Sequence, residues 1–77
     1  MRVEVRFFAS LRERIGRAGQ ALSLPESATV ADVWLQAVGE KSIPSNVLAA
    51  INGEYVVSSS SVSDGDEVAF FPPVTGG

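Results

Sequence analysis

Residues 2–8 follow the two-residue period of a half-buried β-strand, with charged side chains between the apolar ones. Val3, Val5 and Phe7 share one face of this predicted strand. The same period puts Phe8 on the opposite face, together with the charged residues. The chain is therefore predicted to begin with a strand that buries one face and ends in an outward-facing aromatic ring.

Two segments have the spacing of helices. Ser10 precedes Glu13 by three residues, as in a capping box, and this predicts a helix of one or two turns that ends at Gly16. Thr29 is predicted to cap a second, longer helix that ends before Gly39. The apolar residues of this helix recur at helical spacing and predict that it covers a sheet; they are Val30, Val33, Trp34, Ala37 and Val38.

Two further features predict antiparallel strands. Residues 20–24 alternate and return beside the first strand. Asn52-Gly53 separates two β-rich runs and is the strongest short signal for a hairpin. A two-residue turn at this point pairs Ala50 with Tyr55, so that the tyrosine lies on one face of the hairpin with Ala50.

Residues 58–71 supply the last elements of the predicted fold. Residues 58–61 are serines and, with Asp64-Gly65, predict a polar loop, after which residues 67–71 form a last strand with Phe71 facing outward. The order of elements predicts an α+β protein of the β-grasp type, with a mixed sheet of four to five strands packed on one main helix. That arrangement puts the first and last strands side by side at the centre. We expect residues 1–71 to form this domain and residues 72–77 a flexible, extended tail.

The composition of the chain excludes several classes of function. The chain has 77 residues, of which 45% are hydrophobic and 19% charged, as expected of one globular domain. The net charge of −3, without a basic cluster, argues against nucleic-acid binding. Since no apolar run approaches the length of a membrane span and no signal segment opens the chain, we expect a cytoplasmic protein that binds no membrane. The absence of Cys and His excludes thiolate nucleophiles and the commonest general base.

The C-terminal block FFPPVTGG places flexible residues after stiff ones. Pro72-Pro73 cannot continue a sheet ladder and favour an extended chain that projects from the domain. Gly76-Gly77 has no side chains, so this end would pass through a narrow channel into the active site of another protein. The alternatives are a simple strand terminator at the prolines and a frayed end at the glycines.

Three aromatic residues, Phe8, Tyr55 and Phe71, are predicted to face away from the core. In a β-grasp fold they come close together, and an exposed aromatic patch is typical of a partner surface. A second small core is the alternative. Arg6 and Arg12 are placed at the rim of this patch, although solvated surface charge is the default for both.

The segments VRFFASLRE, LAAINGEYV and DGDEVAFFPPVTGG resemble those of the small, sulfur-carrying subunits of molybdopterin synthase, a family of ubiquitin-like β-grasp proteins. The resemblance covers nearly the whole chain. It implies that an activating enzyme uses ATP to adenylate the Gly77 carboxylate, that sulfur displaces AMP to leave a thiocarboxylate, and that this group donates sulfur to cyclic pyranopterin monophosphate. It also implies a non-catalytic subunit with no bound cofactor, whose tail enters the active site of the large subunit in a heterotetramer.

The resemblance assigns a role to each candidate residue. Gly76 and Gly77 match the reactive terminus. The tail inserted into the large subunit matches Pro72, Pro73, Val74 and Thr75. Residues that match the family's docking surface are Phe8, Tyr55 and Phe71, with Arg12 as a contact to the large subunit or the activating enzyme.

Other functions remain open on the same residues. The sulfur carrier of thiamine thiazole synthesis also ends in Gly-Gly, although the FFPP block and the FFASLRE opening argue against it. A ubiquitin-like modifier would join Gly77 to lysines of other proteins through isopeptide bonds. A β-grasp interaction module with an idle tail is the simplest alternative.

Overall fold

The computed structural model describes residues 1–73, so the roles expected of Val74, Thr75, Gly76 and Gly77 lie outside the described residues. Five strands and two helices occur in this part of the chain. In order they are β1 (Arg2–Phe7), α1 (Ala9–Ile15), β2 (Gly19–Ser23), α2 (Val30–Val38), β3 (Leu48–Ile51), β4 (Glu54–Val56) and β5 (Glu67–Phe71). The predicted strand, strand, helix, strand pair, strand order is confirmed, with the short α1 inside the first connection.

The five strands form one mixed sheet in the order β2-β1-β5-β3-β4. β1 and β5 run parallel at its centre, where Phe7 lies opposite Phe70, and the other neighbours are antiparallel. The expected pairing of the first and last strands is therefore confirmed. Because β5 is central and parallel to β1, the end of β5 and the end of β1 lie at the same edge of the molecule.

The core lies between the sheet and α2. Val3, Val5 and Phe7 are buried as the alternation predicted, and Trp34 of α2 is fully buried with its ring 4.9 Å from that of Phe70. Burying one such side chain stabilises the fold by about 1.5–3 kcal/mol. Other buried residues of the helix and of β5 are Val30, Val33, Ala37 and Val68. Within residues 1–73, neither helix is both long and apolar enough to cross a membrane.

Thr29 caps α2 as predicted. Its hydroxyl accepts a hydrogen bond from the Asp32 N–H at 3.4 Å, and its own N–H donates to the Asp32 carboxylate at 2.8 Å. The next two N–H groups, of Val30 and Ala31, donate to the carbonyls of the serine loop. The amino end of α2 therefore has its hydrogen bonds satisfied by the protein itself.

The predicted cap of α1 is wrong. The helix begins at Ala9, and its N-cap is Phe8, whose side chain makes no capping hydrogen bond. The reason is tertiary: the Phe8 N–H donates to the Phe70 carbonyl at 3.1 Å, so the ladder between β1 and β5 continues until the helix starts. Ser10 thus lies inside the helix, and Ala9 takes up the sharp change of direction with a φ of 55°. Gly16 ends α1 as predicted.

The hairpin between β3 and β4 has the predicted register, with Ala50 opposite Tyr55. Asn52 and Gly53 adopt φ values of 50° and 87°, as a tight turn with two left-handed residues requires. The Asn52 side chain also accepts a hydrogen bond from the Glu67 N–H at 2.9 Å and donates to the Asp66 carboxylate at 3.0 Å. The turn is therefore tied to the start of β5, which lies beside β3.

The loop predicted to be polar contributes to the core. Val62 is buried. Its N–H donates to the Ala28 carbonyl at 3.1 Å, and an isolated β-bridge joins Thr29 to Ser61, so the loop is held against the start of α2. Sequence alternation does not reveal a single apolar residue inside a polar loop. The loop therefore packs against the amino end of α2 rather than lying free over it.

Candidate functional site

The root of the tail lies at the end of β5. The strand ends at Phe71, as predicted, and is followed by the half-exposed Pro72 and the exposed Pro73. Proline has no N–H to donate, so it cannot extend the ladder with β3 or β1. The chain consequently leaves the domain from the centre of the sheet, beside the start of α1.

Tyr55 and Phe71 contact each other on the face of the sheet that points away from α2. Their ring centroids are 5.7 Å apart, with an angle of 57° between the planes. Both residues pair with β3, Tyr55 opposite Ala50 and Phe71 opposite Leu48, and Ala50 is buried on the same face. The strand order thus brings together two rings that are sixteen residues apart in the chain.

Phe8 is also outward, with 47% of its surface exposed, but it remains apart from the pair. The aromatic contacts found within residues 1–73 do not include its ring. It follows Phe7, which lies opposite Phe70, so it is level with Phe71 at the same end of the sheet. The predicted outward direction of all three aromatic residues is confirmed. We call Phe8, Tyr55 and Phe71 together with Leu48 the aromatic surface; its binding role stays a prediction.

The aromatic surface is not a second small core. Tyr55 is 72% exposed, and the neighbouring Val57 is 66% exposed. Large exposed apolar side chains of this kind are typical of a partner surface rather than of packing within one domain. Leu48 was missed by sequence reasoning, although its place two residues before Ala50 in the same strand was the signal that would have found it.

The charged residues around this surface differ in their contacts. Arg6 forms an ion pair with Glu67 at 2.9 Å across β1 and β5. Arg12 is exposed on α1, and within residues 1–73 its guanidinium makes no ion pair. Arg14, two residues further on, is paired with Glu40 at 3.2 Å. Arg12 is therefore the more available cation for a partner, and its assignment to the rim stays a prediction.

A shallow cavity of about 240 Å³ adjoins the root of the tail. It is lined by residues of α1, of the segment before β3 and of the tail: Ser10, Leu11, Arg14, Asn46, Val47 and Pro72. Sequence reasoning did not find this cavity, since its walls come from three separate segments. Arg14 and Pro72 therefore line the same cavity, although they lie far apart in the chain.

The acidic side chains near β5 accept hydrogen bonds from backbone groups of the domain. Asp64 accepts a hydrogen bond from the Arg2 N–H at 2.7 Å, and Asp66 accepts one from the Ser63 N–H at 2.8 Å. Within residues 1–73, no group of three acidic, His or Cys side chains is placed to hold a metal ion.

A protein-family model, that of the ThiS family, matches residues 5–77, which is nearly the whole chain and includes the terminal Gly-Gly. The chain belongs to the ThiS family. Among its relatives is the molybdopterin synthase sulfur carrier subunit of Escherichia coli (strain K12), which is 38% identical over 84 residues, with 97% of this chain and 99% of the relative covered. The resemblance to these small subunits is thereby confirmed.

Another relative carries a different name. Small archaeal modifier protein 3 of Haloferax volcanii is 34% identical over 92 residues, and both chains are covered completely. The crystal structure of SAMP1 from Haloferax volcanii superposes with a TM-score of 0.82 at 27% identity, again with both chains fully covered. The predicted β-grasp class is confirmed by this match.

Proposed function

We propose that this chain is a ubiquitin-like sulfur carrier that works with the large subunit of a molybdopterin synthase. The observation that carries the proposal is the full-length similarity to a protein named as such a carrier subunit, together with a family match that extends through Gly77. The domain binds the partner, and its C-terminus carries the sulfur. Catalytic groups belong to the partners, because this chain has no Cys and no His.

The proposed chemistry takes place at Gly77. A free carboxylate is a poor electrophile, so an activating enzyme first uses ATP to form an acyl-adenylate at Gly77 and releases pyrophosphate. Sulfur at the oxidation level of sulfide then attacks the acyl carbon, the C–O bond to the phosphate breaks, and AMP leaves, which gives a thiocarboxylate. The thiocarboxylate donates its sulfur to cyclic pyranopterin monophosphate in the active site of the large subunit. No cofactor is bound by the carrier itself, and the carrier and the large subunit form a heterotetramer.

The geometry of the domain supports the proposal that the domain binds the partner while the C-terminus carries the sulfur. The aromatic surface and the tail lie at the same end of the sheet, since Phe71 belongs to the surface and Pro72 begins the tail. Six residues, 72–77, span at most about 20 Å when extended. A partner that covers the aromatic surface would therefore receive the tail in a site up to that distance away, with Arg12 at the rim of the contact.

Intact-mass analysis tests the proposal. The chain is incubated with an activating enzyme, ATP and a sulfur donor, and then added to a large synthase subunit with the pterin precursor. Replacement of one terminal oxygen by sulfur, followed by conversion of the precursor, is the expected result. A carrier for thiamine thiazole synthesis would acquire sulfur but would not support conversion of the pterin. A chain that neither gains sulfur nor supports conversion would refute the proposal.

A ubiquitin-like protein modifier is the second candidate. The similarity to a protein named small archaeal modifier protein 3, over the full length of both chains, favours it. In that case Gly77 would be joined to lysines of other proteins, and the same incubation with a protein extract would give high-mass adducts. Adducts without any sulfur gain would favour the modifier over the carrier.

A further inference from the structure

The strand β2 forms one edge of the sheet, and within residues 1–73 it pairs only with β1. Hydrogen-bonded and non-hydrogen-bonded pairs alternate along such an antiparallel ladder. The Phe7 N–H donates to the Ala18 carbonyl at one end of the ladder, and the Leu24 N–H donates to the Met1 carbonyl at the other, each at 2.8 Å. By this alternation, three residues of β2 direct their backbone N–H and C=O groups away from β1; they are Gly19, Ala21 and Ser23.

This outer edge of β2 is open. In the part of the chain that the structure describes, the outward backbone groups of Gly19, Ala21 and Ser23 take part in no hydrogen bond. Charged residues and prolines commonly protect an edge strand from pairing, and β2, with the sequence GQALS, has neither. The three residues carry small side chains or none on the face of the sheet away from α2. Another strand therefore meets no bulky side chain on that face.

The opposite edge of the sheet, at β4, is closed. This strand has three residues, and its two-residue hairpin turns the backbone groups of Glu54 and Val56 toward β3. Tyr55 and Val57 consequently face outward. The Val57 N–H donates to the Ser60 hydroxyl at 3.2 Å, and the Val57 carbonyl accepts from the Ser60 N–H at 3.0 Å. Along β4 this leaves Tyr55 as the one residue with outward groups available, which is too short an edge for strand pairing.

The open edge is complementary to itself. Ala21 is the midpoint of the five residues of β2, so a two-fold axis at Ala21 pairs the whole strand with the same strand of a second copy. Gly19 then lies opposite Ser23 of the second copy, and Ala21 lies opposite Ala21. These are the residues with outward groups, so the three N–H and three C=O groups of each copy combine into six hydrogen bonds.

The side chains agree with this register. On the face toward α2, the half-exposed Gln20 would lie opposite Leu22 of the second copy, so that their aliphatic parts meet. Arg17 precedes β2 and Glu26 follows it, and both are exposed. Each end of the paired strands would therefore bring an arginine of one copy near a glutamate of the other. Opposite charges at both ends favour the antiparallel arrangement.

We propose that two copies of this chain pair antiparallel through β2 and form one continuous sheet. Because β2 offers the open edge and β4 is closed, the pairing stops at two copies instead of continuing into a filament. Four strand spacings, about 19 Å, separate β2 from β4. The pairing therefore leaves Tyr55 uncovered, and a paired carrier still offers its contact between Tyr55 and Phe71 to a large subunit.

Sedimentation velocity of the full chain, over a concentration series that reaches the millimolar range, tests the pairing. The mass is expected to rise from that of one chain to that of two. Ala21→Pro removes an N–H that points outward, whereas the ladder with β1 uses Gln20 and Leu22. This variant should dimerise at least about tenfold more weakly, since both central hydrogen bonds are lost. Circular dichroism checks that it is folded.

Ser58→Pro is the matched control for the proline. Ser58 is exposed and lies at the second position of the turn that the Ser60 N–H closes on the Val57 carbonyl, where proline is favoured. Its dimerisation should equal that of the unmodified chain. Equal dimerisation of the unmodified chain, Ala21→Pro and Ser58→Pro would show that the copies meet at another surface and would overturn the inference.

Hydrogen exchange measured by NMR locates the contact in the unmodified chain. The amide protons of Ala21 and Ser23 should exchange rapidly at low concentration and more slowly at high concentration, because pairing places them in hydrogen bonds. The Tyr55 amide, on the closed edge, is the internal control and should exchange at the same rate throughout. A chain that remains single at every concentration, or exchange at Ala21 that does not change, would overturn the inference.

The same variants distinguish a second copy from a different occupant. If the chain remains single and Ala21→Pro instead weakens binding to the large subunit, the open edge serves that partner and the proposed pairing is wrong. If copies pair through β2, Ala21→Pro should bind the large subunit as tightly as the unmodified chain does. Calorimetric titration of both proteins with the large subunit makes this comparison.

Discussion

The ring centroids of Tyr55 and Phe71 lie 5.7 Å apart, in direct contact on the face of the sheet opposite to α2. Phe71 is half-buried, whereas Tyr55 is mostly exposed. The contact therefore joins a residue that the fold needs to one that is available to a partner. It also joins the aromatic surface directly to the strand from which the tail emerges.

Tyr55→Ala is expected to weaken binding to the large subunit more than it weakens the fold. Loss of the aromatic pair should lower the free energy of unfolding by at most about 1.5 kcal/mol. A central aromatic residue of an interface commonly contributes 2 kcal/mol or more to binding, on the order of a thirtyfold loss of affinity. Urea denaturation and calorimetric titration with the large subunit measure the two quantities.

Leu35→Ala is the matched control for the tyrosine, since Leu35 is 44% exposed on α2, at the side of the sheet opposite to the aromatic surface. Its affinity should remain unchanged. Phe71→Ala is expected to reduce both stability and affinity, because the ring is half-buried. A Tyr55→Ala variant that loses stability but keeps full affinity would show that the aromatic surface serves the fold alone.

Deletion of Gly77 is expected to abolish sulfur acquisition and leave the fold intact. A terminal residue beyond the last strand contributes little to the core, so the free energy of unfolding should change by less than about 0.5 kcal/mol. Thermal denaturation and intact-mass analysis of the full-length and shortened chains provide the comparison. A large drop in melting temperature would instead place the terminus within the folded structure.

Asn52→Gly is expected to destabilise the domain by about 1–2 kcal/mol, although glycine suits the backbone of this turn. The reason is that the Asn52 amide accepts from the Glu67 N–H and donates to Asp66. Asn52→Ala should cost more, because it loses these bonds and also strains a φ of 50°. Equal stability of the glycine variant and the unmodified chain, in urea denaturation, would show that these bonds add nothing.

Ala9→Gly is expected to stabilise the domain by about 0.5–1 kcal/mol. Ala9 has a φ of 55°, in the left-handed region, where an alanine is strained and a glycine is not. Ala31→Gly, inside α2, is the matched control and should destabilise by about the same amount through helix propensity. A higher free energy of unfolding for Ala9→Gly and a lower one for Ala31→Gly, both from urea denaturation, would support strain at Ala9. A lower free energy of unfolding in both variants would contradict it.

Local sequence patterns determined which strand faces are buried and how the hairpin strands pair. The alternation of Val3, Val5 and Phe7 identified the buried face of β1, because successive side chains of a strand point to opposite sides. Asn52-Gly53 determined the register of the hairpin, since few residues tolerate two successive left-handed conformations. In each case the physical cause acts within a few residues and is therefore visible in the sequence.

Contacts between distant segments were decided only by the tertiary structure. Ser10 does not cap α1, because the N–H of Phe8 is held by the Phe70 carbonyl 62 residues away. The cavity that joins Arg14 to Pro72 likewise requires the helix and the end of β5 to meet. The sequence determined which residues face outward, and the strand order decided which of them lie together, because the energy of these contacts depends on neighbours that no local pattern specifies.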